Sequence, residues 1–422
     1  MAVTATGCAS GESNEVYKGT DIGGVGTNGG FFGGIAEALT GGGKSTFDLS
    51  ADGGMEFAAT ADTAAPAAVM PEPGVPSEEN NIRPQSGLLT GGEWNDNDHW
   101  EDWKALYESN DYWKEYQTSW KNKRMVRLAV TVTDEDGSPV SGANVSSRKG
   151  GTAVTDNKGK AYLFYENSVD FEIGVTCNGY MGCSMNVDWV NPDTDNTLSV
   201  KLEREDENVK PGKEKKLDLM IVCDTTGSMG DELEYLKVEL ADIVQKIKSD
   251  NANIPTRISV NFYRDTTDEY VVRSFPFSEN VNEVVKAIGE QSADGGGDTP
   301  EAVHSALKNA IDDHKWSEDS VKIMFLVLDA PPHDDAQIID EVNKYIDKAA
   351  ELGIRIVPVA SSGIDKSTEY LLRVMAQATG GTYTFLTNDS GIGGDHIEAT
   401  VGAYNVEKLN DMMVRIVGGY LK

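Results

Sequence analysis

The second half of the chain alternates between short apolar runs and longer stretches in which apolar residues recur every three or four positions. Runs such as 217–223 and 321–328 are almost wholly apolar, which is typical of strands buried on both faces of a sheet. Stretches such as 231–248 have the periodicity of amphipathic helices. The alternation predicts a doubly wound, parallel α/β sheet over residues 217–422, with helices on both faces. The predicted strands are 217–223, 257–263, 321–328, 354–360 and 382–386, and the predicted helices are 231–248, 281–288, 300–311, 338–352, 368–379 and 406–418.

Residues 126–203 have a different pattern, in which apolar and polar positions alternate along short segments. Turn sequences rich in Asp, Asn and Gly separate these segments at 134–137 and 155–159. Short strands with turns at such intervals predict a small all-β sandwich. The charged stretch 204–216, which contains a Pro-Gly pair, is predicted to be a linker to the α/β domain. The predicted sandwich strands are 126–133, 142–147, 160–165, 169–176 and 197–202.

Within this region, the sequence VTVTDEDGSPVSGANVSS followed by TDNKGKAYL resembles the carboxypeptidase regulatory-like, or Cna-B-type, sandwich of secreted and surface proteins. The resemblance implies that residues 126–203 act as a spacer or rigid arm. Two of the four cysteines, Cys177 and Cys183, lie in this region. They could form a disulfide in an oxidising compartment or remain thiols, and the sequence leaves both alternatives open.

Residues 1–92 are rich in glycine, with 19 of the 44 glycines and three basic residues. A segment of this composition buries too little apolar surface to offset chain entropy, so we predict a disordered stalk. Its first residues, Ala5-Thr-Gly-Cys8, resemble the end of a bacterial lipoprotein signal, in which small residues precede a lipidated cysteine. That resemblance implies a lipid anchor on Cys8 and an extracellular location at the bacterial cell surface.

Residues 93–125 hold five of the seven tryptophans, and their aromatic positions recur at roughly helical spacing. We predict a helix over 98–120. Such an aromatic cluster could bind a sugar or a peptide, but it more often packs against a neighbouring domain. The sequence does not decide whether this segment is a separate module or a brace.

The balance of charges excludes several kinds of partner. Lys and Arg number 37 and Asp and Glu number 69, which gives a net charge of −32. A nucleic-acid-binding protein needs a basic face to displace counterions, and docking on anionic lipid needs a polybasic patch. We therefore expect no nucleic-acid partner and no membrane contact other than the lipid anchor. The sequence does not indicate an oligomeric state.

Polar side chains follow two of the predicted strands of the α/β sheet. Asp224, Thr226 and Ser228 follow the first strand, Asp329 follows the strand 321–328, and Thr299 belongs to a glycine-rich loop between them. In open α/β sheets, ligands bind at the carboxyl ends of strands where the strand order reverses. Carboxylate and hydroxyl oxygens suit Mg²⁺ or Mn²⁺, with Ca²⁺ as a further candidate.

This arrangement resembles the Rossmann-like von Willebrand factor A (VWA) domain, whose metal-ion-dependent adhesion site combines D-x-[ST]-x-S, a Thr on a second loop and an Asp on a third. The resemblance implies that the five residues just named hold the metal ion, and that a partner's Asp or Glu fills an open coordination position. Asp298 and His333 are expected to surround these ligands without touching the metal. The resemblance covers residues 217–422.

Three functions compete for these residues. The first is a non-catalytic, divalent-metal-dependent adhesion protein, whose partner is a protein with an exposed Asp or Glu. The second is an assembly or regulatory subunit of a larger machine, which is the role of intracellular relatives of the domain. The third is a serine hydrolase, because Ser228, Asp329 and His396 occur in the chain order of such enzymes, although the first glycine of G-x-S-x-G is missing.

Overall fold

The computed structural model of the chain describes residues 2–4, 83–167, 171–187, 195–206, 215–297 and 299–422. Most of the predicted stalk, including Cys8, lies outside the described residues, and so does Asp298. The described strands are β1 (Ala2–Thr4), β2 (Thr90–Trp94), β3 (Val126–Thr133), β4 (Asn144–Ser147), β5 (Gly151–Val154), β6 (Lys160–Tyr165), β7 (Phe171–Thr176), β8 (Cys183–Val187), β9 (Asn196–Lys201), β10 (Leu217–Asp224), β11 (Thr256–Tyr263), β12 (Val272–Ser274), β13 (Val321–Leu328), β14 (Ile354–Ala360), β15 (Tyr383–Leu386) and β16 (Glu407–Lys408). The described helices are α1 (Trp100–Ser109), α2 (Asp111–Ser119), α3 (Leu233–Asp250), α4 (Val281–Gly289), α5 (Val303–Lys308), α6 (Ala336–Leu352), α7 (Lys366–Thr379) and α8 (Leu409–Leu421).

The largest sheet has eight strands in the order β12-β11-β10-β13-β14-β15-β2-β16. Its five central strands, β11, β10, β13, β14 and β15, are parallel to one another. Three antiparallel pairings complete the sheet, of β12 with β11, of β2 with β15 and of β16 with β2. The predicted parallel α/β fold is confirmed. Because the chain moves outward from β10 to β11 and then returns to β13 on the other side, the strand order reverses between β10 and β13.

Helices cover both faces of this sheet, as the apolar runs require. Every residue of β10 is buried, and so are all but the first residue of β13. Helices α3, α4 and α8 pack in the apolar core on one face, and α5, α6 and α7 pack in the core on the other. The carboxyl ends of β10 and β13 are therefore held rigidly side by side.

The tryptophan-rich segment belongs to the α/β unit. β2 pairs antiparallel with β15, and α2 contacts α7. The predicted boundary at residue 92 falls inside β2, and Leu89 before it is already buried in the core. The single helix predicted over 98–120 is two helices, because Asn110 has an extended backbone and its side chain accepts a hydrogen bond from the Tyr112 N–H to cap α2.

Strand-type pairing explains the changed first residue of two predicted helices. The helix predicted from residue 300 begins at Val303, because Glu301 forms a bridge with Pro332 instead. The helix predicted over 406–418 is displaced to Leu409–Leu421, because Glu407 and Lys408 pair with β2.

Residues 126–203 supply seven strands of two four-stranded sheets, with the orders β1-β9-β3-β6 and β5-β4-β7-β8, and β1 joins the first sheet from the start of the chain by pairing parallel with β9. Side chains from both sheets share one apolar core. This β unit is docked on the α/β unit, since the Arg355 guanidinium donates to the carbonyls of both Val154 and Thr379. Arg127 reinforces the contact by stacking over the Trp100 ring at 4.6 Å. Cys177 and Cys183 are half-buried thiols in this unit.

None of the helices in the described ranges is both long enough and apolar enough to cross a membrane.

Candidate metal site at the carboxyl ends of β10 and β13

Asp224 ends β10 and organises the turn that follows it. The side chain is fully buried, and its Oδ1 accepts hydrogen bonds from the Thr226 N–H at 2.8 Å and from the Thr226 hydroxyl at 2.7 Å. The Thr226 and Ser228 hydroxyl oxygens are 3.1 Å apart. Asp224 Oδ2 is buried and makes no hydrogen bond of standard geometry, although the Tyr263 hydroxyl lies beside the carboxylate. The turn thus gathers one carboxylate and two hydroxyls.

Asp329 follows β13 and faces the same turn. Its carboxylate is buried, and its Oδ1 has no hydrogen-bond partner. Burial raises its pKa to about 6, a hydrogen bond from Ser228 opposes that shift, and the charge of Glu232 adds to it. Burial and the charge of Asp329 raise the pKa of Asp224 to about 7, against the opposing hydrogen bonds of Thr226. Two buried carboxylates with bare oxygens therefore repel each other across the gap between the two strands.

A third carboxylate, Glu301, was missed by the sequence analysis. Its side chain is 2% exposed and its Oε2 has no hydrogen-bond partner. Burial raises the pKa of Glu301 to about 9, and the charges of Asp224, Asp265 and Asp329 contribute. A Cβ placed on Gly296 would lie 2.8 Å from Glu301 Oε1 and 2.7 Å from the Thr226 Cβ. Glu301 therefore lies close to the turn that follows Asp224. Its position in GGGDTPE, two residues after Thr299, was the available signal.

The glycine-rich loop packs directly on the turn after Asp224. Gly295 and Gly296 have φ angles of 75° and 59°, a region that favours glycine. Their positions let the Gly295 carbonyl accept from the Gly227 N–H at 3.1 Å, and let the Gly296 N–H donate to Asp268. Thr299 follows in this loop, is exposed, and lines a groove with Pro300 and Pro331.

His333 and His396 are both engaged by acidic residues. His333 Nε2 lies 2.7 Å from Asp265 Oδ1, so His333 neighbours the carboxylates around Glu301. His396 Nε2 lies 2.8 Å from Glu232 Oε1, and its Nδ1 is 2.9 Å from Asn388 Oδ1. The hydrolase alternative required His396 as the base for Ser228. In the structure, the neighbours of the His396 ring nitrogens are Asn388 and Glu232 rather than Ser228 and Asp329.

The donor set suits a hard divalent cation. In the part of the chain that the structure describes, no three carboxylate, imidazole or thiol groups form a metal cage by themselves. The site instead combines two buried carboxylates, each with a bare oxygen, and the hydroxyls of Thr226 and Ser228. An all-oxygen set of this kind suits Mg²⁺, Mn²⁺ or Ca²⁺ rather than zinc. The residues therefore fit the ion that the VWA resemblance implies.

Comparison with known proteins identifies the class of this domain. Residues 218–399 match the family model of the von Willebrand factor A domain. The large, mostly parallel central sheet of the α/β unit is consistent with that match, which assigns a VWA domain to this part of the chain.

Two curated proteins resemble the chain over part of its length. An ariadne-like RING finger protein, R811 of Acanthamoeba polyphaga mimivirus, is 33% identical over 187 residues, which are 40% of this chain and 18% of that protein. The alpha-protein kinase vwkA of Dictyostelium discoideum is 27% identical over 154 residues, which are 33% of this chain and 24% of that protein. The chain thus spans about a fifth of the length of the curated relatives it matches.

Two solved structures are also similar to the chain. A conserved hypothetical protein BatB from Bacteroides thetaiotaomicron has a TM-score of 0.33 at 11% identity, and covers 49% of this chain and 98% of its own. An aerotolerance-related membrane protein from Bacteroides fragilis, carrying multiple mutations to serine, has a TM-score of 0.34 with the same identity and coverage.

Proposed function

We propose that this protein binds a partner protein through a divalent cation held in its VWA domain. The observation that carries the proposal is the pair of buried, mutually repelling carboxylates of Asp224 and Asp329, each with an oxygen that has no hydrogen-bond partner, where the strand order reverses. Keeping two such groups ionised side by side is unfavourable, and either a proton or a bound cation relieves their repulsion. The VWA fold of residues 218–399 supports a binding role for the site.

Each residue of the site has a distinct part in this proposal. Asp224 and Asp329 supply the negative charge, and Thr226 and Ser228 supply hydroxyl oxygens on the same turn, with Thr299 on the adjoining loop. The ion, when bound, supplies positive charge at the surface of the domain for a carboxylate of the partner. Ser228 and Thr299 are exposed, so the site is open toward a partner on their side. We propose no catalytic role for Ser228, because His396 is held elsewhere.

Calorimetric titration of the full chain with Mg²⁺ and with Mn²⁺ tests the metal site. We expect one-site binding to the native protein and none to Asp224→Asn. Glu318→Gln is the matched control, because Glu318 is an exposed acidic residue outside the site. A folded native protein that binds neither ion would overturn the proposal. A partner search in Mg²⁺ and in EDTA then tests the second half, and partners retained equally in EDTA contradict it.

We propose further that the domain is displayed at a bacterial surface through lipidated Cys8. The support is the sequence Ala5-Thr-Gly-Cys8 and the glycine-rich segment after it. Labelling with a radioactive fatty acid tests the anchor, with Cys8→Ser as the control. Recovery of unlabelled protein from the cytosol alone would contradict surface display and favour the assembly-subunit alternative.

A further inference from the structure

A groove of about 330 Å³ lies beside the proposed metal site. It is formed by the end of the tryptophan-rich segment at Trp120, by the glycine-rich loop at Thr299 and Pro300, and by Pro331 in the loop that carries Asp329. The loop after β14 closes its other side. The groove therefore adjoins the two loops that carry Thr299 and Asp329, two of the proposed metal ligands.

Two carboxylates in the groove lack a cation. Asp334 and Asp365 line it and are exposed, and neither forms an ion pair among the residues that the structure describes. The basic residues next to the lining segments are already engaged, since Lys121 pairs with Asp340 and Lys366 pairs with Glu369. Asp365 accepts hydrogen bonds from Thr368 at the start of α7, but no cationic side chain of the described residues pairs with either carboxylate, so the groove presents negative charge.

The rest of the lining combines rigid apolar side chains with the hydroxyl groups of Ser119, Thr299, Ser367 and Thr368. The Trp120 indole is fixed by hydrogen bonds from its Nε1 to the Ser367 carbonyl at 3.0 Å and hydroxyl at 2.9 Å. Pro300, Pro331 and Ile339 provide further apolar surface with little freedom to move. A lysine or arginine side chain matches this lining, because its methylene stem packs on apolar surface while its charged end pairs with carboxylates.

We propose that this groove binds a Lys or Arg side chain of the partner segment whose Asp or Glu meets the metal. The inference rests on the proposed function and adds a second recognition element to it. The partner would carry an acidic and a basic residue a few positions apart, which the metal and the groove bind together. The net charge of −32 favours the approach of such a segment over a uniformly acidic one.

Selection of displayed random dodecapeptides on the immobilised full chain tests the two steps separately. In Mg²⁺ we expect enrichment of an Asp or Glu together with a Lys or Arg at a fixed spacing, and loss of both in EDTA. Enrichment of the acidic residue alone would overturn the groove assignment and leave the metal-dependent function standing. No Mg²⁺-dependent enrichment at all would overturn the proposed function and the groove assignment with it.

The double variant Asp334→Asn/Asp365→Asn removes the charge of the groove. Asp365 Oδ1 caps α7 by accepting from the Thr368 N–H at 2.7 Å, and Asn caps helices as well as Asp does, so folding should be preserved. We expect this variant to keep selecting acidic residues and to lose the basic preference. Peptides selected on the native protein should bind it about 3- to 10-fold more weakly, an effect expected for partly exposed charge pairs.

Asp335→Asn is the control for this experiment. Asp335 is exposed and adjacent to Asp334 in the chain, but it does not line the groove and its side chain makes no capping hydrogen bond. This variant should retain the basic preference and the peptide affinity. Equal loss in the control and in the double variant would show a general charge effect and overturn the groove assignment.

Discussion

At the scale of single residues, the site depends on carboxylates kept close together in a buried place. One carboxylate oxygen of Asp224 accepts hydrogen bonds from Thr226 in the turn that follows, and the other has no hydrogen-bond partner. Asp329, after β13, also has one oxygen without a partner. The hydrogen-bonded oxygen of Asp224 makes the turn rigid, and its unbonded oxygen is available as a metal ligand. One residue type thus serves both structure and binding, but only because the two strand ends are neighbours.

Asp224→Asn separates these two contributions. The Asn side-chain oxygen can still accept both Thr226 hydrogen bonds, but the negative charge is lost. We expect the Mg²⁺ affinity to fall at least about 10-fold, because the amide is a far weaker ligand for a hard cation. We also expect urea unfolding in EDTA at pH 8 to show no loss of stability, since repulsion by Asp329 is removed. A large loss in EDTA would show that the charge is needed for folding instead.

At the scale of elements, the tryptophan-rich segment braces the sheet. β2 covers the edge of β15, and α1 and α2 pack on α7 around a buried ion pair between Arg373 and Asp96. The guanidinium lies over the rings of Trp103 and Trp113, at 5.0 and 5.2 Å. The tryptophans of this segment share one apolar core with α5, α6 and α7 of the α/β unit.

Asp96→Asn tests this brace. The side chains of Asp96 and Arg373 are each 1% exposed. The variant therefore removes a negative charge that neutralises the buried guanidinium of Arg373. Breaking a buried pair on one side costs about 3–5 kcal/mol, and we expect a fall of that order in the free energy of unfolding in urea. Asp102→Asn is the control, because Asp102 lies on α1 with 67% of its side chain exposed. Equal stability of the two variants would show that the ion pair does not hold the brace.

At the scale of the whole molecule, the acidic site links stability to pH. The pKa values of Asp224, Asp329 and Glu301 rise to about 7, 6 and 9 in the fold, from ordinary values of 3.8, 3.8 and 4.5. At a pH between the ordinary and the raised pKa values of these groups, the folded protein therefore binds more protons than the unfolded chain. A raised carboxyl pKa gives stability that is present below the unfolded pKa and lost as the pH rises through the folded pKa.

We expect the metal-free protein to lose stability as the pH rises from about 5 to 9, with part of the loss reversed by Mg²⁺ at the upper end. Glu301→Gln should flatten the upper part of this profile, because it removes the group that titrates last. Thermal unfolding in EDTA across this pH range measures the effect, with Glu318→Gln as the control. A native profile in EDTA that is flat, or that rises with pH, would contradict the assignment of these groups.

Much of the α/β unit follows from local patterns in the chain. The strands 321–328 and 354–360 and the positions of Asp224 and Asp329 at strand ends were predictable, because burial on both faces imposes an apolar run and the first polar residues mark its end. The parallel fold followed from the regular alternation of these runs with amphipathic helices. Such signals are carried by residues close together in sequence.

Other features depend on residues far apart in the chain. Thr90–Trp94 contains two glycines and no alternating pattern, so its place beside β15 follows only from pairing across the folded molecule. The raised pKa of Glu301 likewise comes from burial and from charges on three other segments. The groove combines the tryptophan-rich segment with three loops at the carboxyl edge of the sheet. Local periodicity encodes strands and helices, whereas shared burial, charge repulsion and clefts arise only when distant segments meet.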